Sequence, residues 1–127
     1  MSKRATVVVS VLVGALLGAA GVQALHAQAK PPAYVVGEID VANAEAFAKE
    51  YLPNASKAIR DGDGKYLVGG GKSVVFYGEP PKRIAIMVFE SLEKAEATFN
   101  SAGYKDAKAA GDKYARFRIY AVEGVPQ

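Results

Sequence analysis

The sequence contains no cysteine. Disulfides, cysteine zinc sites, iron–sulfur clusters and thiol nucleophiles are therefore excluded. Histidine is nearly as scarce: the single one, His26, lies in an N-terminal stretch that reads as a leader. Beyond residue 29 no imidazole remains to ligate a metal, hold a haem iron or serve a Ser-His-Asp triad. Neither a metal nor any other cofactor is expected. A concentrated basic patch is missing too. The 127 residues carry 16 Lys+Arg against 13 Asp+Glu, and the basic ones, such as Lys49, Lys57, Arg60, Lys65 and Lys72, are dispersed among acidic neighbours. Nucleic-acid binding calls for a patch that neutralises phosphates, so no nucleic-acid partner is expected. What remains is phenol, carboxylate and guanidinium chemistry, on a chain of one-domain length.

The N-terminus has its own composition. Lys3 and Arg4 are followed by 21 uncharged residues, Ala5 to Leu25, and then by Ala27-Gln28-Ala29. A basic start, an apolar stretch and a small-x-small site are the parts of a secretory signal peptide. Residues 1–29 are therefore expected to be a signal peptide, and residues 30–127 a domain in the periplasm or outside the cell. The alternative is an uncleaved anchor, since about 20 apolar residues can span a bilayer. Membrane contact is expected only through this segment. All twelve aromatic residues lie after residue 30, and without Lys3 and Arg4 the charge balance is 14 to 13.

The rest reads strand, helix, strand, strand, helix, strand. Ala33 to Ile39 is a β run. Asn43 is suited to cap a helix whose apolar face recurs at Phe47, Tyr51, Ala55 and Ile59. Pro53 lies inside it and is expected to kink or split it. Tyr66 to Gly70 begins a second strand, which Val74 to Tyr77 is expected to continue or to extend past a bulge. Arg83–Phe89 is the clearest strand. Ser91 caps a helix with Leu92, Ala95 and Phe99 on its buried face, a short helix follows from Tyr104, and Ala115–Val122 is the last strand. This order predicts an α+β fold: a ferredoxin-like βαββαβ sandwich with a four-stranded antiparallel sheet in the order 4-1-3-2. Two strands are apolar on both faces, while helices cover only one. A homodimer packed sheet to sheet would bury the other.

Several residues carry a resemblance over about Tyr34 to Gly124. They are Ala33–Asp40, Leu67-Val68-Gly69-Gly70, Phe89-Glu90-Ser91-Leu92-Glu93-Lys94-Ala95, Asn100-Ser101-Ala102-Gly103-Tyr104 and Val122-Glu123-Gly124. On these the chain resembles the family of domain of unknown function 1330, in the dimeric α/β-barrel group. The resemblance implies a ferredoxin-like subunit that pairs into a dimeric α/β barrel, and it implies no activity. The chain departs from the family where Glu90 replaces a frequent Pro, Thr98 a frequent Trp, and Gly111 stands near a frequent Arg.

Familiar motifs fail on spacing. Gly71-Lys72-Ser73 looks like the end of a P-loop, but Tyr66 stands where its first glycine belongs and a strand is expected next. Asp61-Gly62-Asp63-Gly64 looks like a calcium loop, but Lys72 holds the position of the twelfth-position Glu. Asn54-Ala55-Ser56 matches a glycosylation site but falls within a helix. The candidate pocket is instead a set of polar residues on one strand parity: Tyr34, Glu38 and Asp40 on the first strand, Arg116, Arg118 and Tyr120 on the last. Glu38 is expected to face Arg116 or Arg118, with Ser101, Tyr104 and Asn100 on the rim. The alternative is a structural cross-strand pair at a dimer interface. The expected function is binding of a small organic molecule in the pocket of a dimeric barrel. Any reaction would use Tyr34 or Tyr104 as acid and Glu38 or Arg118 as polariser. A non-catalytic structural or interaction protein of the cell envelope is the alternative.

Overall fold

The computed structural model describes residues 30–126. The leader expected over residues 1–29, and with it the periplasmic or secreted destination, lies outside the described residues and finds no support in the fold. Among the described residues, no helix is long and apolar enough to cross a membrane.

The domain is built from β1 (Ala33–Val41), α1 (Ala44–Glu50), α2 (Leu52–Asp61), β2 (Lys65–Gly69), β3 (Arg83–Phe89), α3 (Leu92–Phe99), α4 (Ala102–Gly111) and β4 (Ala115–Glu123). Local chemistry sets most boundaries. The Asn43 side chain accepts a hydrogen bond from the Ala46 N–H at 3.1 Å, satisfying one free donor of α1. Ser91 does the same for α3 and Ser101 for α4. Pro53 sits in the first turn of α2, where its missing N–H costs no helical bond, so the expected long helix is split at Tyr51. The Asp61–Gly64 segment turns the chain at the end of α2, and Asp63 adopts a left-handed conformation, φ 64°.

The four strands form one antiparallel sheet in the order β2-β3-β1-β4. This is the expected ferredoxin-like arrangement. The closed barrel is not formed. β2 and β4 are free edges, and four strands are about half the number that closes even a small barrel. The domain is an open α+β sandwich, which corrects both the barrel fold and the barrel pocket expected from the resemblance.

Alternation along the strands divides the sheet into two faces. Ala33, Val35 and Ile39 of β1 and Ala85, Met87 and Phe89 of β3 are buried under the helices. Their packing forms two apolar clusters. One gathers Ile39, Phe47, Tyr51, Ala55 and Tyr104; the other gathers Val35, Ile59, Met87, Phe89 and Ala95. Phe99 and Ile119 pack against both and join them. On α3 the buried positions are Ala95 and Thr98, whereas Leu92, expected inside, is exposed.

A further correction concerns Val74–Tyr77. These residues do not extend β2; they lie in the connection between β2 and β3 and are exposed. Among the described residues, β2 pairs only with β3, bulges between Tyr66 and Val68, and has no strand beyond it to pair with.

Candidate functional site

The residues singled out from the sequence fall on two sides of the sheet. Tyr34, Glu38 and Asp40 lie on the face away from the helices, with Arg116, Arg118 and Tyr120 beside them on β4. The register sets Glu38 opposite Arg118 and Asp40 opposite Arg116. The Arg118 guanidinium donates to Glu38 Oε1 at 3.0 Å, and the Tyr120 hydroxyl donates to Oε2 at 2.7 Å. These bonds, Tyr120 first and Arg118 second, hold the Glu38 carboxyl below the usual carboxylate range. Glu38 is thus fixed as an anion with both oxygens engaged.

Ser101 and Tyr104 do not join this set. Ser101 caps α4, and Tyr104 is buried in the helix-side core. An acid at Tyr104 and a polariser at Glu38 or Arg118 are therefore on opposite sides of the sheet and cannot act on one substrate atom.

Tyr104 belongs to a different cluster, which the sequence did not reveal. Its hydroxyl is 2.7 Å from that of Tyr51, which comes from the junction of α1 and α2. A small cavity of about 10 Å³ lies between helices and sheet, bordered by Tyr51, Tyr66, Arg83, Phe99 and Ile119. The Arg83 guanidinium lies 5.6 Å from the Phe47 ring centroid, and its Nε is buried without a hydrogen-bond partner. Gly70 lets the guanidinium pass: its φ is +75°, and a Cβ there would lie 2.1 Å from Arg83 Nη1. Tyr51 was legible only as one member of the apolar stripe of its helix. The available signal was chemical, because a tyrosine in a buried stripe needs a partner for its hydroxyl.

Burial pushes the Tyr104 phenol up to about 12 and pushes Tyr51 higher still. Both are neutral hydrogen-bonding groups near pH 7. A phenol raised in the folded state leaves stability intact below its unfolded value of about 10, and stability is lost as pH rises from there toward the folded value. Of the seven tyrosines, Tyr51 and Tyr104 should ionise only as the domain unfolds in alkali. Ultraviolet difference absorbance followed beside circular dichroism checks this. Ionisation of Tyr51 and Tyr104 with the fold intact would contradict the buried pair.

Next to this cluster is an open groove of about 330 Å³ between α3 and β4. Val35, Leu92, Ala95, Phe99, Ile119 and Ala121 give it apolar walls, and Glu96 and Asn100 supply the polar groups. Phe99 and Ile119 border both the groove and the inner cavity. The other face of these two side chains meets the tyrosine cluster, where the Phe99 and Tyr104 ring centroids are 4.5 Å apart, edge to face. Among the described residues no group of acidic side chains is placed to hold a metal ion.

The sequence profile of the family with domain of unknown function DUF1330 matches residues 32–125. The chain belongs to the DUF1330 family. No curated protein matches it. Among solved structures, a protein of unknown function from Rhodopseudomonas palustris is similar at 15% identity, with 77% of this chain and 85% of the other covered and a TM-score of 0.62. A Caulobacter crescentus CB15 structure named after the antibiotic biosynthesis monooxygenases is similar at 18% identity, over 82% and 99%, with a TM-score of 0.56. SnoaB, a cofactor-independent oxygenase from Streptomyces nogalater, is similar at 11% identity, over 76% and 96%, with a TM-score of 0.52. At these identities the likeness establishes the fold of this DUF1330 domain and leaves its chemistry to its own residues.

Proposed function

We propose that this DUF1330 protein binds a small, largely apolar organic molecule in the groove between α3 and β4 of a single subunit. The observation that carries the reading is the groove itself. Its volume falls within the ~300–1,000 Å³ usual for small-molecule sites, and a few polar groups stand on mainly apolar walls, as such sites require. Apolar contact with Leu92, Phe99 and Ile119 supplies the affinity, while Asn100 and Glu96 orient a polar substituent. The polar set around Glu38 takes no part, since it lies on the face away from the helices and each carboxylate oxygen is already engaged, by Arg118 and by Tyr120. One structural neighbour is named as an oxygenase that works without a cofactor, which accords with a site built from aromatic and aliphatic side chains.

The test uses N-phenyl-1-naphthylamine, a neutral apolar probe whose fluorescence rises on burial. Ala121 is exposed and borders the groove, so Ala121→Trp fills the space without entering the core. Probe affinity should fall by about tenfold or more, equivalent to ~1.4 kcal/mol, with the melting temperature unchanged. Equal affinity in the two proteins would overturn the reading.

A further inference from the structure

The connection between β2 and β3 projects an apolar tip that the described residues leave exposed. Val74 is 78% exposed, Val75 49%, Phe76 84% and Tyr77 97%. Among the described residues, no hydrogen bond, ion pair or ring contact joins residues 71–81 to the rest of the domain. The base of this arm is nonetheless fixed. The Gly70 N–H donates to the Ile84 carbonyl at 2.9 Å, and the Lys82 N–H donates to Asp40 Oδ1 at 3.1 Å. Gly78 turns the chain with φ +81°, and Pro80-Pro81 stiffens the return. Four adjacent exposed apolar side chains on a fixed base form the kind of patch that marks an interaction surface.

We propose that the Val74–Tyr77 arm of one copy packs over the groove between α3 and β4 of a second copy and closes its open side. The proposal rests on the groove as the binding site and adds the partner that completes it. Three observations favour a second copy. The arm springs from the β2 side of the sheet, whereas the groove lies at β4, the opposite edge, three strand spacings or about 14 Å away. Arm and groove match in chemistry: the apolar tip lies between Lys72 and Glu79, and the groove has apolar walls with Glu96 at its rim, so Lys72 can meet Glu96. The area is sufficient as well. Aromatic side chains bury roughly 150–250 Å² each. Two arms exchanged about a two-fold axis, counted with the surfaces that receive them, therefore exceed the ~1,200 Å² at which stable interfaces begin. Exchange about a two-fold axis is also closed, so it ends at a dimer.

The chain has no cysteine, which makes cross-linking specific. Full-length Phe76→Cys protein mixed with full-length Glu96→Cys protein should give a disulfide between the two variants, with and without N-phenyl-1-naphthylamine. Sedimentation should show a dimer that Phe76→Asp/Tyr77→Asp weakens by tenfold or more, with no loss of helix or sheet. Cross-linking of Phe76→Cys only to itself, or a dimer unchanged by the double substitution, would overturn the proposal. So would binding to phosphatidylglycerol vesicles that the double substitution abolishes, without any disulfide between the variants. If the disulfide forms but Ala121→Trp leaves probe affinity unchanged, the arm contact stands and the small-molecule reading fails. If the disulfide is absent but Ala121→Trp blocks the probe, the groove binds its molecule without a partner.

Discussion

Phe89→Ala should cost about 3–5 kcal/mol of stability, most of what a small domain has when the total is roughly 5–15 kcal/mol. Phe89 ends β3, is 1% exposed, and is among the three largest fully buried side chains. Its ring stands edge to face with Phe99, centroids 6.0 Å apart. It sits in the cluster with Val35, Ile59, Met87 and Ala95, contributed by four different elements. No single one of these can shift to fill the space the ring leaves, so the cavity persists and adds to the lost transfer energy. The effect should reach the groove, because Phe99 loses a neighbour that fixes its ring as a groove wall. Urea denaturation should show a lower midpoint, and the probe should bind the variant less tightly in the fraction that remains folded. A loss below about 1 kcal/mol, the scale of an ordinary surface change, would mean that Phe89 is not central to the core.

Gly111→Ala should destabilise although alanine is the better helix former. Gly111 is the last residue of α4 and is buried. A Cβ there would lie 2.6 Å from Tyr51 Cδ1 and 2.9 Å from Phe117 Cζ. Helix propensity favours the alanine by at most ~1 kcal/mol. Overpacking a filled core costs about 1–3 kcal/mol. Tyr51 is held on its other sides by Phe47, stacked at 4.9 Å, and by its hydroxyl contact with Tyr104, so the ring cannot yield cheaply. The overpacking term should win. A second substitution, Tyr51→Leu, should relieve the clash, so that the pair loses less stability than the two single changes added together. Simple additivity, or a stabilised Gly111→Ala variant, would show that the ring moves freely. The space beside Gly111 is taken by Tyr51 and Phe117, so an arginine there has no room without repacking.

Much of the fold was written in local chemistry. Asn43 and Ser91 announced helix starts because a side-chain oxygen satisfies a free N–H. Pro53 announced the split between α1 and α2 because proline fits only a first turn. The shared parity of Tyr34, Glu38 and Asp40 announced one polar face of β1, and the antiparallel register then brought Glu38 opposite Arg118. Non-local partners were harder to read. Val74–Tyr77 has the composition of a strand, yet among the described residues no neighbouring strand accepts it, and strand formation needs a partner. The sequence puts Tyr104 near the rim of the polar face, but its helix turns it toward Tyr51, 53 residues away.

By itself, the sequence determined the chemistry available to this DUF1330 chain: tyrosines, carboxylates and arginines without cysteine. It also determined the order of its strands and helices, because caps, breaks and alternation act over a few residues. Only the tertiary structure decided which of those groups meet. It left the sheet open, placed Glu38 and Tyr104 on opposite sides of it, joined Tyr51 to Tyr104, and left a groove between α3 and β4. Each of these outcomes depends on contacts between segments distant in the chain, where packing, and not local propensity, selects the partner.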